Sequence, residues 1–231
     1  MDENTTIVVL TGSGISADSG LATFRGSGGL WEGHEISEVA TPQGWKRNPK
    51  KVLEFYNKRR KQAWEAEPND AHKSLADLER RYNVRVVTQN VDDLHERGGS
   101  SNVMHLHGEL RKVRSEKDPA LIKDVKDRAI SLGDTAEDGS QLRPHVVWFG
   151  EAVPMIEKAA EITSEADIFI VVGTSLEVYP AAGLIQYVPP DARRYLVDPN
   201  VPQKATIDDS WTTIAEPAAE GIPKITQELL D

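Results

Sequence analysis

Residues Thr11 to Arg25 read TGSGISADSGLATFR and follow directly on the apolar run Ile7-Val8-Val9-Leu10. A β-branched run that ends in a glycine-rich turn and a small-residue helix start is how α/β proteins hold a pyrophosphate. The backbone approaches closely, and N–H groups and the helix dipole meet the negative charge. Gly12, Gly14 and Ala17 fit the loose G-x-G-x-x-G/A pattern. That pattern alone is weak. Thr23-Phe24-Arg25-Gly26 sharpens it, because an aromatic ring and a cation stand where a dehydrogenase fingerprint would continue as helix.

Outward from this stretch, Val84–Thr88, Ile168–Val172 and Tyr195–Asp198 join Ile7–Leu10 as β-rich runs, with Val103–His107 and His145–Trp148 as weaker candidates. Helical stretches between them predict an α/β fold with a Rossmann-like parallel sheet. The stronger runs end in Thr11-Gly12, Gln89-Asn90, Gly173-Thr174 and Pro199-Asn200. Ligands of open α/β sheets bind outside the carboxyl ends of the strands, where these polar clusters fall. The segment between the first two strands is too long for a simple crossover. Pro49–Glu67 reads as a helix, and Asn69 caps a second one through Arg81, which together form a wall of the cleft. Lys112–Gln141, charged and nearly free of aromatics, reads as a helix followed by a mobile loop. The expectation is one domain over 1–231, with a core of about 1–33, 84–110 and 143–231 and a smaller helical module from about 34–83 and 111–142.

The 231 residues contain no run approaching the ~18 apolar residues of a membrane span. Met1-Asp2-Glu3-Asn4 lacks the order of a signal peptide, so a cytoplasmic, membrane-free protein is expected. The absence of cysteine excludes disulfides, thiolate metal sites and a cysteine nucleophile. A formal net charge of -10 argues against nucleic acid as a partner. It is equally a solubility device.

Thr88-Gln89-Asn90-Val91-Asp92-Asp93 leaves a strand with amides and acids in close succession, a set suited to ribose hydroxyls and a carboxamide. The plain structural reading is an Asx turn capping the next helix, and Asp93 is assigned to that cap. In His105-Leu106-His107-Gly108 both imidazoles would face one way along a strand. A histidine before a glycine at a strand end suits a general base, yet either ring taken alone is more often structural than catalytic. On the Pro49–Glu67 helix, Val52, Phe55, Tyr56 and Ala63 form an apolar face that Arg59 interrupts. Tyr56 and Arg59, three apart, could grip a carboxylate, or Arg59 could snorkel to Glu54 or Glu65.

TGSGISADSGLATFR, TQNVDDLH, LHGE, LRPHVVWFGE and GTSLEVYP occur in the order found in sirtuins. The chain resembles these NAD-dependent protein lysine deacylases over roughly residues 6 to 223, specifically the desuccinylase-like class III. The resemblance implies that nicotinamide is displaced from NAD by the acyl oxygen of a modified lysine. The products are deacylated lysine, nicotinamide and O-acyl-ADP-ribose. His107 would be the base acting on a ribose hydroxyl, Asn90 would hold the ribose or a water, and Asp92 would bind the carboxamide. Phe24 would shield the reactive carbon and Arg25 would sit near the phosphates. The dinucleotide would also meet Gly12, Ser13, Gly14, Ile15, Ala17, Trp31, Gln89, Val91, Gly173, Thr174, Ser175, Asp198, Pro199, Asn200 and Ala218. Val147, Phe149, Gly150 and Glu151 on one side, and Glu177, Val178 and Tyr179 on the other, would take the substrate peptide as an added strand. Tyr56 and Arg59 match the YxxR by which the desuccinylases read acidic acyl groups.

The resemblance breaks in Lys112–Gln141. Sirtuins generally carry the cysteines of a zinc ribbon there, and this segment has none. A zinc-independent enzyme is expected, with helix packing through Leu121, Ile122, Val125 and Ile130 replacing the metal. A monomer acting on acyl-lysine proteins is the leading expectation. An NAD hydrolase or mono-ADP-ribosyltransferase, and a non-catalytic NAD or acyl-lysine sensor, are the alternatives.

Overall fold

The computed structural model describes residues 5–23, 30–31, 33–202 and 207–231. Its strands are β1 (Thr6–Thr11), β2 (Leu30–Trp31), β3 (His34–Glu35), β4 (Asn83–Thr88), β5 (Val103–His105), β6 (Gly108–Ser115), β7 (Ile122–Asp124), β8 (Leu142–Val146), β9 (Ile168–Val172), β10 (Arg193–Val197) and β11 (Trp211–Ile214). Its α-helices are α1 (Ile36–Val39), α2 (Pro42–Arg47), α3 (Pro49–Glu65), α4 (Asp70–Leu78), α5 (Leu94–Arg97), α6 (Ile156–Ser164) and α7 (Ala218–Leu230).

β1 and β9 are buried at every residue, as central parallel strands covered on both faces must be. They sit in the middle of a six-stranded sheet of order β11-β10-β9-β1-β4-β5 in which every pair is parallel. From β1 the chain builds outward through β4 and β5, then crosses to β9 and builds the other way. The reversal lies between β1 and β9, and such a switch point opens a crevice at the carboxyl ends of the strands.

One face of the sheet packs Ile7, Val9 and Ile170 against Leu75 of α4 and Ile222 and Ile225 of α7. The other packs Val8, Leu10 and Phe169 against Ala159 and Ile162 of α6 and Leu184 of a 3-10 turn over Ala181–Tyr187. Asn69 caps α4 in a capping box with His72, as its position predicts, although the helix ends at Leu78 and turns carry the chain on toward β4. α3 is capped by Asn48, whose side chain accepts from the Lys51 amide, with Pro49 in the first turn.

A third apolar cluster lies beside the sheet. It joins Val52, Phe55 and Tyr56 of α3 to Leu110, Val113, Leu142 and Trp148. The module is helical in α1–α3, while α4, expected to belong to it, packs on the main sheet through Leu75 and Leu78, and the helix expected within Lys112–Gln141 does not form. Lys112–Ser115 and Ile122–Asp124 instead join a three-stranded antiparallel sheet of order β7-β6-β8, and an isolated bridge pairs Thr135 with Gln141. Polar side chains tie this segment together. Ser115 Oγ lies 2.7 Å from Asp138 Oδ2 and 2.6 Å from Ser140 Oγ, and it accepts from the Lys117 and Asp118 amides at 3.0 and 2.9 Å. The expected apolar contacts divide. Val125 and Ile130 are buried in the cluster, whereas Leu121 is half-buried and Ile122 is 47% exposed on the edge strand β7. No helix among the described residues is long and apolar enough to cross a membrane.

Candidate active site

A cavity of about 820 Å³ opens at the carboxyl ends of β1, β4, β9 and β10 and runs to α3 and Trp148. Such a volume is in the range of small-molecule and cofactor sites. Gly12, Ser13, Gly14 and Ala17 line it from the β1 loop, Gly173, Thr174 and Ser175 from the β9 loop, and Asp198, Pro199 and Asn200 from beyond β10. Ala218 closes that end. Ile15 does not reach the cavity: the segment Ser13–Ser19 winds as a short 3-10 helix that turns its side chain into the core. Phe24 and Arg25 lie outside the described residues, as does the side chain of Trp31.

The glycines work differently from the phosphate-cradle expectation. A Cβ on Gly12 would meet the Gly173 carbonyl oxygen at 2.6 Å, and one on Gly14 would meet Gly173 Cα at 2.6 Å. Their amides are engaged too, Gly12 N with the Val172 oxygen at 3.0 Å and Gly14 N with the Gly173 oxygen at 2.8 Å. These glycines therefore join two loops across the switch point. Any donors to an anionic ligand come from elsewhere on the loop.

Thr88 anchors the next wall. Its hydroxyl oxygen accepts from Thr11 Oγ1 at 2.7 Å and from the Asn90 amide at 3.0 Å, and Thr11 Oγ1 lies 3.0 Å from His95 Nε2. Gln89, Asn90, Val91 and Asp92 all reach the cavity. Gln89 Nε2 bonds Thr174 Oγ1 at 3.2 Å, tying the β4 and β9 loops. Ser16, absent from the sequence expectations, is a hub. It accepts from Asn90 Nδ2 and donates to Asp92 Oδ2, both at 3.1 Å. Its place inside the quoted glycine-rich stretch was the available signal. Burial raises the Asp92 carboxyl above its usual value, against the Leu94 amide and the Ser16 hydroxyl. Asp93 occupies the N-cap position of α5, as assigned, but the side-chain bond is made by Asp92, whose Oδ1 accepts from the Leu94 amide, while Asp93 faces Arg97 and Arg111. Burial likewise raises Asp198, opposed by the Asn200 amide.

The two strand-end histidines separate. β5 stops at His105, so Leu106 and His107 no longer alternate as strand residues. His105 Nδ1 lies 2.9 Å from the Asn90 oxygen and its Nε2 2.8 Å from Glu96. Burial opposes its charge, but Glu96 outweighs burial and raises its pKa. Both ring nitrogens of His105 are thus engaged, by Asn90 and Glu96. His107 lines the cavity, and its Nδ1 lies 3.0 Å from the Gln89 carbonyl oxygen. A carbonyl only accepts, so Nδ1 carries the proton and Nε2 keeps its lone pair. Burial lowers the His107 pKa, with the Gln89 bond opposing. A neutral imidazole with a lone pair in a cleft can serve as a general base.

Val147, Phe149, Gly150 and Glu151 line one side of the cavity, and Glu177, Val178 and Tyr179 the other. The first side has little donor capacity left. The amides of Val147, Trp148, Phe149 and Glu151 bond the His107 oxygen, Glu151 Oε2, the Ala40 oxygen and the Trp148 oxygen. The Glu151 carboxylate is engaged as well. It receives Arg143 at 2.7 and 3.1 Å and lies 3.6 Å from Arg114. These contacts outweigh burial and hold its pKa below the usual value.

At the far end, Tyr56 and Arg59 line the cavity, joined by Gln62, one turn further along α3 and not foreseen. Tyr56 accepts from Trp148 Nε1 at 3.1 Å, and burial pushes its phenol up to about 12, so it stays protonated. Glu54 and Glu65 pair with Lys50 and Lys61, not with Arg59. The neighbouring Arg60 is buried, donating to the Leu110 oxygen at 2.6 Å and to Asn57 Oδ1 at 2.8 Å, and burial lowers its pKa to about 10.

Comparisons with known proteins place the chain in a family. The Sir2 family profile matches residues 12–180. A Helicobacter pylori protein described as an NAD-dependent protein deacylase is 52% identical over 225 residues, covering 97% of each chain. A protein of that description from Bacteroides thetaiotaomicron is 52% identical over 229 residues, again covering 97% of both. A crystal structure of a Sir2 homologue bound to NAD superposes with a TM-score of 0.86 at 38% identity, covering 97% of this chain and 89% of that one. With a matched profile across most of its length and relatives at half identity, the chain belongs to the Sir2 family.

Proposed function

We infer that this chain is an NAD-dependent protein-lysine deacylase that prefers acidic acyl groups such as succinyl and malonyl. The observation carrying the preference is Tyr56 with Arg59 at the α3 end of the cavity, a protonated phenol and a guanidinium on one wall. Charge-assisted hydrogen bonds of that kind contribute about 1.5–3 kcal/mol, or roughly tenfold to a hundredfold in preference for succinyl over acetyl.

The residues present suit NAD. Hydroxyls and amides of Ser13, Ser16, Thr174, Ser175 and Asn200 gather around the switch point, with Gln89, Asn90 and Asp92 beside them. The dinucleotide supplies a nicotinamide leaving group and ribose hydroxyls. His107 Nε2 accepts a proton from a ribose hydroxyl. The Gln89 carbonyl holds the ring in the tautomer that permits this. Asn90 and Asp92, braced through Ser16, orient the ribose and the carboxamide. The walls at Val147–Glu151 and Glu177–Tyr179 hold the acyl-lysine peptide, the first mainly through carbonyl oxygens because most of its amides are engaged. The reading includes a monomer acting in the cytoplasm without zinc and without nucleic acid, supported by the absent cysteines and the charge of -10.

The test follows peptide mass and nicotinamide together, with NAD and matched succinyl- and acetyl-lysine peptides, for wild type and Arg59→Met. Faster succinyl removal that collapses selectively in the variant is expected. Equal rates unaffected by the substitution would leave a general deacetylase, and nicotinamide release independent of peptide would indicate an NAD hydrolase.

A further inference from the structure

We propose that Trp148 is a positioning residue for acyl selectivity, because its indole N–H fixes the Tyr56 hydroxyl as a hydrogen-bond donor toward the acyl group. This rests on the acidic-acyl reading of Tyr56 and Arg59.

A phenol hydroxyl both donates and accepts, and its hydrogen lies near the ring plane, on one side of the oxygen or the other. Trp148 Nε1 donates to the Tyr56 oxygen at 3.1 Å. An indole has no acceptor, so that side of the oxygen cannot carry the phenolic hydrogen. The hydrogen turns to the other side, and among the described residues no acceptor takes it. Tyr56 and Trp148 are both among the cavity's lining residues, and a hydroxyl hydrogen turned away from the indole is left to donate to a ligand there. A donor beside the Arg59 cation favours a carboxylate. A freely rotating hydroxyl could equally accept, and would discriminate less.

The indole is itself held. The Arg143 guanidinium carbon stands 3.3 Å from the Trp148 ring centroid, and Glu151 grips that guanidinium through both carboxylate oxygens. Glu151 also accepts the Trp148 amide at 2.9 Å. A cation over the ring draws electron density from it and strengthens the N–H as a donor. Glu151, assigned from resemblance to the peptide wall, thereby acts through Arg143 and Trp148 on a tyrosine of another element. These contacts give the Arg143 and Glu151 positions a part in acyl choice, although neither is on α3.

The experiment is a double-mutant cycle of Trp148→Phe and Tyr56→Phe, read as the ratio of kcat/KM for succinyl-lysine and acetyl-lysine peptides with NAD. Trp148→Phe lowers the succinyl-to-acetyl ratio about three- to tenfold, mainly through KM for the succinyl peptide. In the Tyr56→Phe background it lowers the ratio no further. Additive losses, or an unchanged ratio, would overturn the proposal. Because Trp148 is buried, a second variant carries benzothienylalanine at position 148, which keeps the bicyclic shape and lacks the N–H. It must reproduce the loss of ratio, and a wild-type ratio there overturns the proposal even where Trp148→Phe fails to fold. Arg59→Met runs alongside. If it leaves the ratio unchanged, the acidic-acyl reading fails. If it collapses the ratio while both Trp148 variants do not, only the role of Trp148 fails.

Discussion

Gly108 and His145 approach so closely that a Cβ on Gly108 would fall 2.1 Å from the His145 carbonyl oxygen. Gly108 also holds φ at +82°, a region side chains disfavour. It immediately follows His107 and starts β6 against β8. Gly108→Ala therefore meets both backbone strain and a clash with backbone that cannot rotate away. The expected loss is about 2–5 kcal/mol, together with a fall in kcat/KM as His107 shifts. Urea unfolding and steady-state kinetics on one preparation check both.

The pH–rate profile follows from His107. Burial lowers its pKa, so the base form persists below the ordinary histidine value. Activity is lost as pH falls through that depressed value. The acid limb of kcat/KM should have its midpoint below about 6.5. His107→Asn should cost roughly a hundredfold to ten-thousandfold in rate and remove that limb.

Stability has its own pH dependence, from His72 and His95. Their rings pack at a centroid distance of 5.0 Å, both are buried, and burial lowers both pKa values, that of His72 to about 4. Unfolding restores a pKa near 6.5, so the unfolded chain binds more protons between about pH 4 and 6.5. Stability rises with pH across that window, by about 1.4 kcal/mol per unit for each histidine, and is lost as pH falls. His72→Gln should remove roughly one proton from that slope. Urea midpoints from pH 4.5 to 7 measure it.

Ser115 tests what replaces the zinc ribbon. Ser115→Ala removes contacts to Asp138, Ser140 and two amides. It should destabilise by about 1–3 kcal/mol, while prolonged chelation should change neither Tm nor activity of the wild type. A Tm lowered by the chelator would show a metal holding the module.

The sheet was legible because its central strands are continuous apolar runs, Ile7–Leu10 and Ile168–Val172, each ending in a polar turn. β6 was not, since Lys112 and Arg114 alternate with Val113 and Ser115, and a strand closed by serine and aspartate side chains resembles a charged loop. The site was readable at Gln89, Asn90, Asp92 and His107, whose side chains lie beyond strand ends. Choosing His107 over His105 on residue type alone was impossible, because the distinction arises where β5 stops and Gly108 turns the chain. Ile15 misled for the opposite reason. It belongs to the loop by sequence, and only the winding of that segment sends it into the core.

The ribbon held by Ser115, Asp138 and Ser140 changes how this part of the protein comes into being. Its cross-links are made of the chain's own oxygen and hydrogen atoms. If the chelator leaves Tm unchanged, the module closes as soon as its residues are synthesised, without waiting for delivery of an ion. An oxidant finds no thiol at these joints to attack.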